Sequence, residues 1–199
     1  MDTKEFLDAL ASDAATPGGG GGSAYVGALG LSLSQMAVTI SAKSAKEASL
    51  PLYVDLISRC ESLKNRLYGM IKADAEAFLP LANAYKLPKS DLSRHTAIQS
   101  GLINAAQAPL EMMRLNHQAI LLHKEAMDLA NKMIISDVAT GVTISLSSLK
   151  GAYINVLVNI KSIKDEESKQ ILEKEANDLL TASEEIADDV YSKILQLMR

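Results

Sequence analysis

Residues 16–23 read TPGGGGGS and run straight into a helix-sized apolar segment, 24–40. Glycine loses more backbone freedom on ordering than any other residue. Five in a row therefore weigh against a folded chain unless the backbone needs unusual dihedrals or something must approach it closely. Ser23 offers a side-chain oxygen as the cap of the helix that follows. A glycine loop feeding a helix N-terminus presents free N–H groups and the positive end of the helix dipole, together a place for an anion or polar ligand. The plainer reading, a flexible linker, fits poorly with a position between two helices of one domain. The run also lacks the Lys-Ser/Thr ending of a Walker loop, and no strand precedes it, so nucleotide-loop templates do not apply.

Everything around this segment has a helical period, and no stretch alternates as a half-buried strand would. The spacing predicts helices over 3–12, 23–45, 51–85, 90–131, 136–163 and 166–198. Pro80 is expected to kink or end the third, and Pro109 to kink the fourth. Ser136 is a candidate cap for the fifth, with Asp137 in its first turn. The third helix carries the stripe Leu52, Leu56, Cys60, Leu63, Leu67, Met70, Asp74 and Phe78. The sixth alternates Glu and Lys around Ile171, Leu172, Leu179, Leu180, Ile186, Val190, Ile194 and Leu197, as an outer amphipathic helix does. The expected architecture is an all-α bundle of about six long helices forming a single domain over 1–199.

Of the 199 residues 48% are hydrophobic and 4% aromatic, with no Trp. Such a chain packs helices closely on small side chains. The net charge of -4 argues against a nucleic-acid partner, which requires clustered Lys and Arg. One cysteine, Cys60, excludes an internal disulfide and fits a reducing compartment. The segment 24–40 is interrupted by Ser32, Ser34, Gln35 and Thr39, so it reads as a buried helix and not a membrane span. The opening residues MDTKEFLDALAS mix acids with apolar positions, unlike a signal peptide. A cytoplasmic location and no membrane partner are expected.

Three polar residues stand where the pattern wants apolar ones. Asp74 lies on the core stripe of the third helix, where a carboxylate must be paired, protonated or turned outward. On the fifth helix Asp137, Gly141, Ile144, Ser148, Ala152, Asn155 and Asn159 share one face. Asn155 and Asn159 need partners, either a ligand or a neighbouring helix. His95, His117 and His123 lack metal-ligand spacing, so no metal is expected. Cys60 and the methionines read as core filling. The acidic run Glu184, Glu185, Asp188 and Asp189 reads as a solvated face.

Taken in order, FLDALAS, TPGGG with its GSA ending, DAEAF at 74–78, LPK at 87–89, AAQAPLEMM at 105–113, SDV at 136–138 and GAYINVLVNIKSIKD at 151–165 resemble the formiminotetrahydrofolate cyclodeaminase and methenyltetrahydrofolate cyclohydrolase family. The glycine loop is two residues longer than the family's usual PGGGS, and ANKMIISDVATG lacks the usual small polar approach to SDV. The resemblance implies an all-helical homodimer that acts on a tetrahydrofolate derivative with no tightly bound cofactor. It also implies that the folate is held near the loop. Both reactions pass through a tetrahedral carbon between two nitrogens and need proton transfers. Asp74 and Asp137 are therefore the expected proton donor and acceptor, facing one cavity. Pro17, Gly18, Gly19, Gly20, Gly21, Gly22, Ser23, Asn155 and Asn159 are the expected substrate contacts. Lys89, Arg94, Arg114 and Lys161 are candidates for the glutamate tail. The alternative class is a non-catalytic helical dimer serving as a folate-binding or assembly module.

Overall fold

The structure, a computed structural model, describes residues 2–199. Six α-helices follow one another: α1 (Thr3–Leu10), α2 (Gly19–Ala42), α3 (Leu50–Lys86), α4 (Arg94–Leu129), α5 (Ile135–Ile160) and α6 (Glu166–Leu197). A 3-10 turn, Glu47–Ser49, leads into α3. No strand occurs among the described residues. The starts that are capped by side chains use acids. Asp2 and Glu5 form a reciprocal capping box on α1, and Asp165 accepts the N–H groups of Glu167 and Ser168 at α6.

Helix α2 is central and packs against α3, α4 and α5; α4 and α5 are in turn covered by α6. The α2–α5 seam is built from residues without bulk. A Cβ on Gly30 would stand 2.9 Å from the Gly141 carbonyl oxygen, and one on Gly141 would stand 2.7 Å from that of Gly30. The two backbones therefore touch through reciprocal Cα–H···O contacts. Further along, Gly27 faces Ser148, Ser23 faces Gly151, and Gly19 faces Asn155. Falling numbers on α5 against rising numbers on α2 make the pair antiparallel. Ser148 Oγ donates to the Ser23 carbonyl at 2.6 Å and ties the seam at that level.

Several sequence expectations are corrected. Helix α2 starts at Gly19, with Gly18 as its N-cap, so Ser23 is not a cap. The serine sits one turn inside the helix and donates back to the Gly19 carbonyl at 2.9 Å. Gly19 to Gly22 are the first turn of α2 and not a loop. The cap residue of α5 is Ile134, not Ser136, with no side-chain cap bond. Helix α3 does not end at Pro80 but runs on to Lys86, and α4 continues through Pro109 to Leu129, close to the expected bounds. The α3 stripe is buried only over its middle, from Leu56 to Leu67; Leu52 and Phe78 at its ends are exposed, as are Ile171 and Leu197 on α6. Leu172, Val190 and Ile194 of the expected α6 stripe are buried, and the small residues Ala176, Ser183 and Ala187 complete that contact.

The core holds a histidine with no access to water. His123 of α4 is fully buried between Ser34 of α2 (Nδ1···Oγ 2.6 Å) and Ser145 of α5 (Nε2···Oγ 2.8 Å). Burial pushes the imidazole down to about 3, so the folded ring is neutral. In the unfolded chain a histidine takes up its proton near pH 6.5. Between those values the unfolded state binds the extra proton, and stability falls as the pH drops. His117, next to Ser183, shifts in the same direction through burial, whereas Asp74, raised by burial, opposes. The His123 contribution is expected to be a loss of about 2 kcal/mol between pH 8 and pH 5. Urea midpoints of wild type and His123→Gln at the two pH values check this. Equal slopes in the two proteins would mean that His123 is charged in the fold.

Two helices, α2 and α5, are long and apolar enough to cross a bilayer by length and composition; here they form the central pair of the bundle. Part of their apolar surface remains uncovered. Leu29, Met36 and Ile40 form one exposed stripe on α2, and Ile154 and Val158 are exposed one turn apart on α5.

Candidate functional site

The glycine turn at the start of α2 meets side chains from both α3 and α5. With no side-chain cap on Gly18, the N–H groups of Gly19, Gly20 and Gly21 have no partner inside α2, while Gly22 N–H bonds the Gly18 carbonyl. Asp74 of α3 reaches this end of the helix. Its carboxylate occupies the space where a Gly20 side chain would be, and a Cβ there would collide with all three carboxyl atoms. Glycine at 20 is thus required by the approach of Asp74. Asp74 is half-buried. Burial raises its pKa above the ordinary carboxylate value, and the Gly21 N–H facing it holds that rise back.

Asn155 of α5 closes the other side. Its Nδ2 would be 3.4 Å from a Cβ on Gly19 and donates to the Gly151 carbonyl at 2.8 Å. Its Oδ1 therefore remains available near the same turn. Asp74, Asn155 and the Gly19–Gly21 amides converge although they come from three helices. This set offers a carboxyl with a raised pKa, an amide and a helix N-terminus, which together can move a proton and hold a polarised oxygen or nitrogen.

The other expected site residues lie elsewhere. Asp137 is in the first turn of α5, and 18 residues of helix separate it from Asn155, about 27 Å at 1.5 Å per residue. Within one chain Asp74 and Asp137 do not face a common cavity. A shared helix stripe guarantees a shared side, not a shared level. Asn159 is committed to packing, its Nδ2 donating to the Ala105 carbonyl of α4 at 3.0 Å. Ser23 points at α5, fills the room left by Gly151, and is 9% exposed. Among the candidate cations, Arg114 is paired with Glu175 (2.6 Å) and Glu111 (3.2 Å), and Arg94 Nε donates to the Leu87 carbonyl at 3.0 Å. Among the described residues no three His, Cys, Asp or Glu side chains form a metal-sized cluster.

A cavity of about 830 Å³ opens beside the turn, between α1, α2 and α3. Thr16 and Pro17 line it, whereas the glycines stand behind Pro17, whose Cβ would be 3.1 Å from a Cβ on Gly21. The remaining wall, unanticipated from the sequence, includes Phe6, Tyr25, Tyr68, Ile71 and Lys72. Phe6 stacks on Tyr25 with ring centroids 4.9 Å apart, which holds α1 in place as the outer wall. A signal for this face existed: Tyr68, Ile71, Lys72 and Ala75 recur at helical spacing beside the core stripe of α3.

Comparison with known proteins agrees with this architecture. The formiminotransferase-cyclodeaminase family model matches residues 2–178. A methenyltetrahydrofolate cyclohydrolase of Methylorubrum extorquens is 34% identical over 95% of this chain and 93% of its own length. A formimidoyltransferase-cyclodeaminase of Rattus norvegicus is 30% identical over 84% of this chain, which spans only 32% of that longer protein. The crystal structure of formiminotetrahydrofolate cyclodeaminase from Thermotoga maritima superposes with a TM-score of 0.84 at 25% identity, covering 100% of this chain and 96% of that one.

Proposed function

Because this chain belongs to the formiminotransferase-cyclodeaminase family, we propose that it is a folate one-carbon enzyme acting at the carbon that bridges N5 and N10 of tetrahydrofolate. The observation that carries the reading is the half-buried Asp74 carboxyl against the uncapped glycine turn, with Asn155 beside it. In cyclohydrolase chemistry water adds to the methenyl carbon, one C–N bond breaks, and the released nitrogen takes a proton. In cyclodeaminase chemistry N10 attacks the N5-formimino carbon and ammonia leaves after protonation. Both need a proton donor at the departing nitrogen, and a carboxyl with a raised pKa is suited to it. Asp74 fills that role. Asn155 and the amides of Gly19 to Gly21 orient the reacting nitrogens, and no resident cofactor takes part.

Hydrolysis of the methenyl bridge is the first reading, supported by the full-length similarity to the Methylorubrum cyclohydrolase. Cyclodeamination is the second, supported by the Thermotoga structure. Wild-type protein is expected to accelerate the loss of methenyltetrahydrofolate absorbance. Ammonia release from formiminotetrahydrofolate, without methenyl hydrolysis, would move the assignment to the second reaction. Absence of both would favour a binding or assembly module.

The same reading includes a homodimer in the cytoplasm, paired through the exposed stripe of Leu29, Met36 and Ile40. Sedimentation of wild type beside Met36→Glu tests the pairing.

A further inference from the structure

The cavity beside the glycine turn does not end where α1 stops covering it. Tyr25 and Tyr68 also line a second hollow of about 350 Å³, which continues along the α2–α3 seam to Ser32 and Lys64. The two hollows form one groove. It begins at Thr16 and Pro17, passes the two tyrosines, and carries Lys72 in its first half and Lys64 in its second. From Tyr25 to Ser32 it follows 7 residues of α2, about 10 Å at 1.5 Å per residue.

Its charge is specific in a chain whose net charge is -4. The carboxylate lining it, Asp2, is already engaged in capping α1, where it accepts the Glu5 N–H at 2.8 Å. Lys72 is only loosely held, 3.5 Å from Glu76, with both side chains largely exposed. It is free to swing over the groove. Lys64 is bound more closely by Glu61, which Gln35 also holds. An elongated ligand with an aromatic middle and an anionic end suits such a groove: its ring lies against tyrosines and its carboxylates meet lysines.

We infer that the groove takes the aminobenzoyl-glutamate part of the folate, with Tyr68 against the benzoyl ring and Lys72 as the residue that recognises the glutamate carboxylates. This rests on the function proposed above and replaces Lys89, Arg94, Arg114 and Lys161 as tail-binding candidates. The reacting carbon then sits at the glycine turn, at the mouth of the groove. Pro17 and Ile71, which line the groove, are also the neighbours of Gly21 in that turn, 3.1 Å and 3.9 Å from where its Cβ would stand.

The test compares a glutamylated substrate with the same compound lacking its glutamate. Lys72→Gln should raise KM about tenfold for the glutamylated substrate. KM for the tail-less one should not change, so the variant loses its discrimination between them. Tyr68→Leu should raise KM for both. Unchanged discrimination in Lys72→Gln overturns the inference while leaving the function proposal intact. If wild type turns over neither folate, the function proposal fails first. The groove is then judged by binding of p-aminobenzoylglutamate, followed by calorimetry. Weaker binding to Lys72→Gln than to wild type supports the groove, and equal or absent binding rejects it.

Discussion

Asp74→Asn is expected to lower turnover about a hundredfold with the bundle intact, the usual scale for removing a general acid or base. The substitution keeps the shape against Gly20 and removes the proton that the mechanism transfers. It also relieves a burden on the fold. Burial already disfavours the charged form of Asp74, so a neutral amide there should leave the melting temperature unchanged or slightly higher. Loss of rate without loss of stability separates a reacting group from a packing group. The pH profile adds a sign. A carboxyl raised by burial stays protonated to a higher pH than an ordinary aspartic acid and stops donating as the pH climbs through its pKa. The wild-type rate should therefore decline along that limb, and the small residual rate of Asp74→Asn should be flat there. Full turnover by the variant would assign proton transfer elsewhere.

The parts of the site legible in the sequence were those that break a helical pattern locally. Asp74 stood out because a carboxylate on an apolar stripe needs a reason, and the reason is the uncapped end of α2. The glycine run stood out through its conformational cost, but its form was misread. Backbone freedom suggests a loop, whereas the glycines are there because Asp74, Pro17 and Asn155 press against the first turn of a helix. Ser23 illustrates the same point. A serine after glycines looks like a cap, yet the helix had already begun at Gly19, because uncapped glycine N–H groups facing Asp74 can open it. Asp137 was misplaced for a different reason. Periodicity reports the side of a helix on which a residue lies and is silent about how far along it the partner helix brings its own polar groups. The cavity wall was missed because Phe6, Tyr25 and Tyr68 look like ordinary core aromatics until three helices bring them together.

Gly20→Ala is expected to inactivate the protein almost as severely as Asp74→Asn, through one methyl group. That methyl would occupy the position of the Asp74 carboxyl and drive it away from the Gly21 N–H. The helix itself has no reason to suffer. Gly20 lies in the first turn of α2, and alanine is a better helix former than glycine. Far-UV circular dichroism should be unchanged and thermal stability equal or improved, while turnover falls by about two orders of magnitude. The double variant decides whether the glycine acts through the carboxyl. If it does, Gly20→Ala/Asp74→Asn should be no slower than Asp74→Asn alone, because neighbouring residues that serve one function are not additive. A double variant slower by the product of the two single effects would mean that the glycine backbone contributes separately, through its own N–H groups at the ligand. A Gly20→Ala protein with full activity would show that the carboxyl need not sit against α2 at all.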